Sequence, residues 1–113
     1  MFDLSRFDLA MFEESAGRAA MLLRLLGNEK RLMLLCQLSQ GEMCVSELEE
    51  QLDIRQPTLS QQLGVLRRDG VVDTHRQGKN IYYSVRDPRM LEILETLYRI
   101  YCPQKQARKQ GKR

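Results

Sequence analysis

The sequence predicts a mainly α-helical domain that carries one small β-hairpin. Three observations predict it. Apolar residues recur at three- and four-residue spacing along most of the chain, the period of an amphipathic helix. The pattern turns to alternation in one place only, between Val71 and Val85, as strands require. Glycine, proline and small polar residues punctuate the pattern where helices start and stop. The chain has 113 residues, 42% of them hydrophobic. That suits one domain and leaves no room for a large multi-domain enzyme. A core this small favours dimerisation as a supplement.

Residues 1–12 read as an N-terminal arm, residues 13–102 as the folded domain and residues 103–113 as a basic tail. The first helix spans Glu13 to Leu26, with Ala16, Ala19, Ala20, Leu23 and Leu26 on one face. Gly27 stops it, and Asn28 is a suitable N-cap for the next helix. The second helix runs from Glu29 to Ser39 and directs Leu32, Leu35, Cys36 and Leu38 to a core. Ser46 and Glu49 match a capping box, which opens a short third helix reaching Asp53. Ile54, Arg55 and Gln56 form a connector, and Pro57 suits the first position of a fourth helix. That helix buries Leu59, Leu63 and Leu66, and Gly70 fits the position just past its end.

Val71–Arg76 and Ile81–Val85 are the two strands, joined by the turn Gln77-Gly78-Lys79-Asn80. Asp87 caps the last helix, with Pro88 at its first position and Pro103 beyond its end. Met90, Leu91, Leu94, Leu97, Tyr98 and Tyr101 make a broad apolar stripe on it. The first and last helices together offer a dimer face. Two helices across a three-residue turn form a helix-turn-helix, and the basic hairpin that follows completes a winged helix-turn-helix. A symmetric dimer sets two such helices about 34 Å apart, one turn of DNA, over a palindromic site.

Charge agrees with this arrangement once it is resolved along the chain. The formal net charge is only +3. Residues 1–54 hold 5 basic and 10 acidic residues, whereas residues 55–86 hold 6 and 2, and the tail holds 5 and 0. Basic blocks attract polyanions, double-stranded DNA foremost. The candidate DNA contacts are Arg55, Gln56, Thr58, Ser60, Gln61, Arg67, Arg68, Arg76 and Lys79. Gln pairs with adenine edges, and Ser or Thr reaches bases or phosphates. Arg67 and Arg68 suit phosphates, and Arg76 and Lys79 stand near the wing tip. A solvated helix face is the plain alternative for the outer side of the fourth helix.

Several classes are excluded. No apolar run reaches 18 residues, so no membrane span is expected. The N-terminus carries Asp3 and Asp8 and does not read as a secretory leader. A cytoplasmic protein with free thiols at Cys36, Cys44 and Cys102 is the expectation. With one histidine, His75, and no CxxC spacing, neither a metal nor a cofactor is expected. No Ser/His/Asp set, phosphate-cradling loop or paired carboxylate site suggests an enzyme. His75 reads as a surface residue, Tyr82 and Tyr83 as strand packing, and Cys44 as a loop thiol.

The stretches LGNEKRLMLLCQL (26–38), VSELEEQLDIRQPTLSQQLGVLRRDGVV (45–72) and RQGKNIYYSV (76–85) resemble the ArsR/SmtB family of bacterial winged-helix repressors. The resemblance covers roughly residues 16–102. It implies a homodimer through the first and last helices that leaves its operator when an inducer binds or reacts. EMCVSEL (42–48) resembles the arsenic-sensing motif of that family, but Ser46 stands where the motif has its second cysteine. One thiol cannot supply the three soft ligands that arsenic(III) prefers. LLC at Cys36 and YRIYCP at Cys102 resemble the persulfide-sensing subgroup of the BigR/SqrR type. That resemblance implies a dithiol switch between Cys36 and Cys102, with reactive sulfur species as inducer and sulfide detoxification genes as targets. Peroxide remains an alternative oxidant. Two other readings stay open: a metal- or metalloid-responsive repressor using Cys44 with Cys102, and a winged-helix interaction module that does not bind DNA.

Overall fold

The computed structural model describes residues 4–102. The expectations for residues 1–3 of the arm and for the basic tail beyond Cys102 lie outside the described residues. A 3-10 turn, Leu4–Arg6, leads into five α-helices and three short strands. In chain order these are α1 (Leu9–Leu26), α2 (Glu29–Leu38), β1 (Met43–Cys44), α3 (Val45–Gln51), α4 (Thr58–Arg68), β2 (Val72–Gln77), β3 (Asn80–Val85) and α5 (Pro88–Tyr101). The fold is the expected one, mainly helical with a small antiparallel wing.

Four local differences have physical causes. First, α1 starts at Leu9, not Glu13, because the Asp8 carboxylate accepts the Met11 N–H at 3.2 Å and caps the helix there. Second, the alanine stripe of α1 does not reach the core. Only Leu25 and Leu26 are buried in this helix, and Leu23 is 64% exposed. Third, the capping box sits two residues earlier than Ser46. Cys44 is the N-cap, and the Glu47 carboxylate accepts its N–H at 3.0 Å. Fourth, Pro57 is the N-cap of α4, not its first residue.

Other ends match their chemistry. The Asn28 side chain accepts the Lys30 and Arg31 amides at the start of α2. Asp87 accepts the Arg89 N–H at the start of α5, with Pro88 at the first position. Past α4, Gly70 takes φ +73°, the Gly70 N–H donates to Arg67 O and the Val71 N–H donates to Leu66 O. This paired closure needs a left-handed residue, which glycine supplies without a Cβ clash.

The sheet order is β1-β3-β2, all antiparallel. β2 and β3 pair from Val72↔Val85 to Gln77↔Asn80, so the wing turn is the two residues Gly78 and Lys79. Gly78 has φ +66°, which suits the first central position of a tight hairpin. β1, which the sequence reading did not include, pairs Met43 with Tyr83 and Cys44 with Tyr82.

One apolar core joins the helices to the wing. Leu34, Leu35, Leu48, Leu59, Leu63, Leu66 and Val72 are all but inaccessible to solvent. Met90 and Leu94 of α5 join the same cluster. The expected burial of Leu59, Leu63 and Leu66 is observed, and the α4 face opposite them is left outward.

Candidate nucleic-acid interface and thiol pair

The 3.6-residue period of α4 sorts its side chains. With Leu59, Leu63 and Leu66 inside, Ser60, Gln61, Gly64, Arg67 and Arg68 are exposed, and Thr58 is half-buried. Arg55 and Gln56, in the turn before α4, are exposed, as are Arg76 on β2 and Lys79 at the wing tip. Val65 is half-buried. Gln56 has a structural duty as well: its side-chain carbonyl accepts the Ser60 N–H at 3.0 Å and caps the first turn of α4.

Among the described residues, Arg55, Arg67, Arg68, Arg76 and Lys79 form no ion pair, so their charge is available to a polyanion. Arg86, the remaining cation of the basic block, is held by Asp73 at 2.8 Å. His75 is tied down too. Its Nδ1 lies 3.2 Å from Glu42, and its ring stacks on Tyr82 at 5.6 Å between centroids. Tyr83 packs against the core, as expected of strand packing.

The thiols divide into two places. Cys44 is not a loop thiol: it is buried as the last residue of β1 and the N-cap of α3, with its Sγ 3.3 Å from the Ser46 hydroxyl. The Tyr82 phenol is pushed above its ordinary range, first by the charge of Cys44 and then by burial. Cys36 sits on the last turns of α2, and Cys102 is the C-cap of α5, its N–H donating to Tyr98 O at 2.8 Å. Both are free and half-buried. An open cleft of about 660 Å³ runs between α2 and α5, lined by Met33, Cys36, Gln40, Leu91, Glu95 and Tyr98 among others. Leu91, Glu95, Tyr98 and Cys102 follow one another at helical spacing on α5, so Cys102 extends the α5 face that lines this cleft. Burial pushes the Cys36 thiol above its ordinary range, and the charge of Cys102 pushes it further.

Sequence reasoning missed Arg31. Its guanidinium donates to Leu25 O at 3.0 Å, to Arg24 O at 3.5 Å and to Gln62 Oε1 at 3.2 Å. No local pattern signals a contact across 31 residues. Among the described residues, no group of three or more His, Cys, Asp or Glu side chains could hold a metal ion. No described helix is long and apolar enough to cross a membrane.

The helix-turn-helix, its outward polar and basic α4 face and the basic wing define a winged-helix, DNA-binding transcription regulator. Comparison with known proteins makes the class specific. Residues 28–74 match the description "Bacterial regulatory protein, arsR family". The biofilm growth-associated repressor of Agrobacterium fabrum is 50% identical over 100 residues, which are 88% of this chain and 86% of that one. The crystal structure of the transcriptional repressor BigR from Xylella fastidiosa superposes with a TM-score of 0.81 at 45% identity, covering 85% of this chain and 98% of that one. HlyU from Vibrio cholerae gives a TM-score of 0.74 at 38% identity, covering 80% and 98%. The chain belongs to the ArsR family of bacterial regulatory proteins. These relatives are transcription regulators and not enzymes.

Proposed function

We propose that the protein is a dimeric cytoplasmic repressor that binds a palindromic operator and is released when Cys36 and Cys102 are crosslinked by reactive sulfur. The observation that carries this reading is the placement of two free, half-buried thiols, Cys36 on the α2 wall of the α2–α5 cleft and Cys102 at the C-cap of α5. Repressor names among its relatives support the sign of regulation. The exposed basic residues Arg55, Arg67, Arg68, Arg76 and Lys79 serve phosphates, and Gln56, Thr58, Ser60 and Gln61 at the start of α4 face the bases. Exposed apolar residues support dimerisation through α1 and α5: Leu9, Phe12 and Leu23 on the first helix, Ile100 and Tyr101 on the last. The regulated genes are those of sulfide and reactive-sulfur detoxification.

The chemistry balances with a persulfide donor, R–S–SH. One cysteine thiolate attacks its outer sulfur, giving Cys–S–SH and releasing the thiol R–SH. The second cysteine attacks the inner sulfur of that protein persulfide. A Cys36–Cys102 disulfide forms and hydrogen sulfide leaves, so the sulfane sulfur takes the electron pair. Two protein persulfides condense instead to a trisulfide, again with loss of one hydrogen sulfide. Either bridge ties α2 to the end of α5. Because α2 packs on α4, strain in α2 reaches the helix that reads DNA.

The test treats reduced protein with glutathione persulfide, and separately with hydrogen peroxide or arsenite. Intact mass and operator binding are followed together. The expected result is a Cys36–Cys102 bridge and loss of DNA binding with the persulfide. A Cys36→Ser protein that still releases DNA on persulfide treatment overturns the dithiol switch. Release by stoichiometric arsenite with no sulfur bridge favours a metalloid sensor.

A further inference from the structure

We infer that Arg31 is a positioning residue that sets the rotation of the recognition helix α4, through Gln62, relative to the end of α1. The inference rests on the DNA-binding part of the reading above and is independent of the thiol switch. Three facts carry it. The guanidinium of Arg31 spans three elements: it stands on α2, donates to the Arg24 and Leu25 carbonyls at the end of α1, and donates to Gln62 on α4. Those carbonyls belong to the last turn of α1, where helical partners run out. A cation there also meets the negative end of the helix dipole.

The second fact is the way α4 is held otherwise. Leu59, Leu63 and Leu66 fix the depth of α4 in the core. Apolar burial is non-directional, so it tolerates small rotations about the helix axis. The Arg31–Gln62 bond is directional and acts from the flank. It therefore selects among the rotations that the leucines permit. The third fact is location. Gln62 is half-buried on the flank of α4 with Thr58 and Val65, between the buried leucines and the exposed face that carries Ser60, Gln61 and Arg68, and a turn of the rigid helix about its axis moves that whole face. Any rotation that the tie prevents would displace those side chains from a groove.

Arginine suits this role and lysine does not. A planar fork with five donors reaches two carbonyls on one side and an amide oxygen on the other. A lysine ammonium is a single point charge on a flexible stem. Loss of the tie leaves α4 sampling several rotations, and the apparent affinity falls by the fraction that remains competent.

The experiment uses the full chain in its reduced state. A palindromic duplex is selected from a random pool by the wild-type protein, and an unrelated duplex serves as the non-specific probe. Binding of wild type, Arg31→Lys, Gln62→Ala and the double variant is measured at one salt concentration, alongside thermal unfolding. Gln62→Ala keeps the Arg31 bonds to α1, so it remains informative if Arg31→Lys is poorly folded. The expected result is about a 5- to 10-fold loss of selected-duplex affinity in each single variant, the size of one ordinary intramolecular hydrogen bond. The double variant is expected to lose no more than either single one, and non-specific binding to stay within about twofold. Gln62→Ala binding as tightly as wild type overturns the inference. Additive losses overturn it too, since Gln62 then acts alone. Failure to select any duplex overturns the DNA-binding reading itself, and the inference with it.

Discussion

Gly64 tests whether the outer face of α4 meets DNA closely. It stands mid-helix on the exposed face with Ser60, Gln61 and Arg68, and a Cβ built there has no neighbour within 4 Å. Gly64→Ala therefore adds a methyl group to open space in the unbound protein. Glycine is about 0.8–1.0 kcal/mol worse than alanine inside a helix, so the variant is expected to be more stable by about that amount. For a domain of this size the melting temperature rises by roughly 4–8 °C per kcal/mol. On DNA the same methyl group has a different environment. If α4 lies in the major groove on this face, the close approach that glycine allows is lost. Overpacking a fitted surface costs about 1–3 kcal/mol, which is about 5- to 150-fold in affinity. Thermal unfolding and operator binding of one variant thus move in opposite directions. A raised melting temperature with operator affinity within about twofold of wild type refutes close approach by this face. A lowered melting temperature refutes the open environment assigned to Gly64.

Three further outcomes follow from the same structure. Gly70→Ala places a Cβ at φ +73°; the left-handed conformation costs about 1–2 kcal/mol, partly offset by about 0.4–1 kcal/mol from the stiffer unfolded chain, so denaturant unfolding is expected to show a net loss. Leu63→Ala opens a cavity under the recognition helix at a residue 1% exposed, and the expected cost is about 2–5 kcal/mol in chemical denaturation. Arg76→Gln and Lys79→Gln at the wing are each expected to lower the slope of log K against log salt by about one, measured by titration across a salt series; an unchanged slope removes that residue from the phosphate contacts.

The sequence carried the fold where the controlling interaction is local. Asn28 and Asp87 cap helices through bonds to amides two and three residues away, and both helix starts were legible. The exposure of Ser60, Gln61, Arg67 and Arg68 on α4 was legible too, because burial of three leucines at helical spacing dictates what remains outside, whereas Thr58 and Val65 are half-buried. Errors arose where two local signals compete or where a tertiary contact decides. Cys44 with Glu47 and Ser46 with Glu49 are overlapping frames of one cap pattern. Pairing of Cys44 with Tyr82 in β1 fixes Cys44 at φ −92°, ψ 174°, the extended conformation that an N-cap needs, and so the first frame prevails. β1 itself spans two residues, too short for alternation to show. Asp8 lies before the alanine periodicity begins, so periodicity alone does not reveal that its carboxylate starts the helix. The Arg31–Gln62 tie joins residues far apart in the chain, and only the packed helices bring them together.

Cys36 sets the order of events in the proposed crosslink. Burial and then the charge of Cys102 raise its pKa from the ordinary 9.0. Attack on sulfur proceeds through the thiolate, so burial makes Cys36 a poor first nucleophile at neutral pH, and the proposed crosslink is expected to start with a persulfide on the other thiol of the pair, Cys102. The second step is intramolecular, and proximity compensates for the small thiolate fraction at Cys36. Treated with glutathione persulfide at neutral pH, Cys36→Ser is therefore expected to accumulate one added sulfur at Cys102 without a bridge. Cys102→Ser is expected to react slowly at Cys36, faster as pH rises. Stability has the matching sign. A thiol whose folded pKa is raised contributes stability that is complete below its unfolded pKa and is lost as pH climbs through the folded one. Wild type is thus expected to lose more stability than Cys36→Ser in alkaline melts above pH 9.0. If Cys102→Ser takes up sulfur as fast as Cys36→Ser at neutral pH, burial does not control reactivity here, and the order of attack argued from it is wrong.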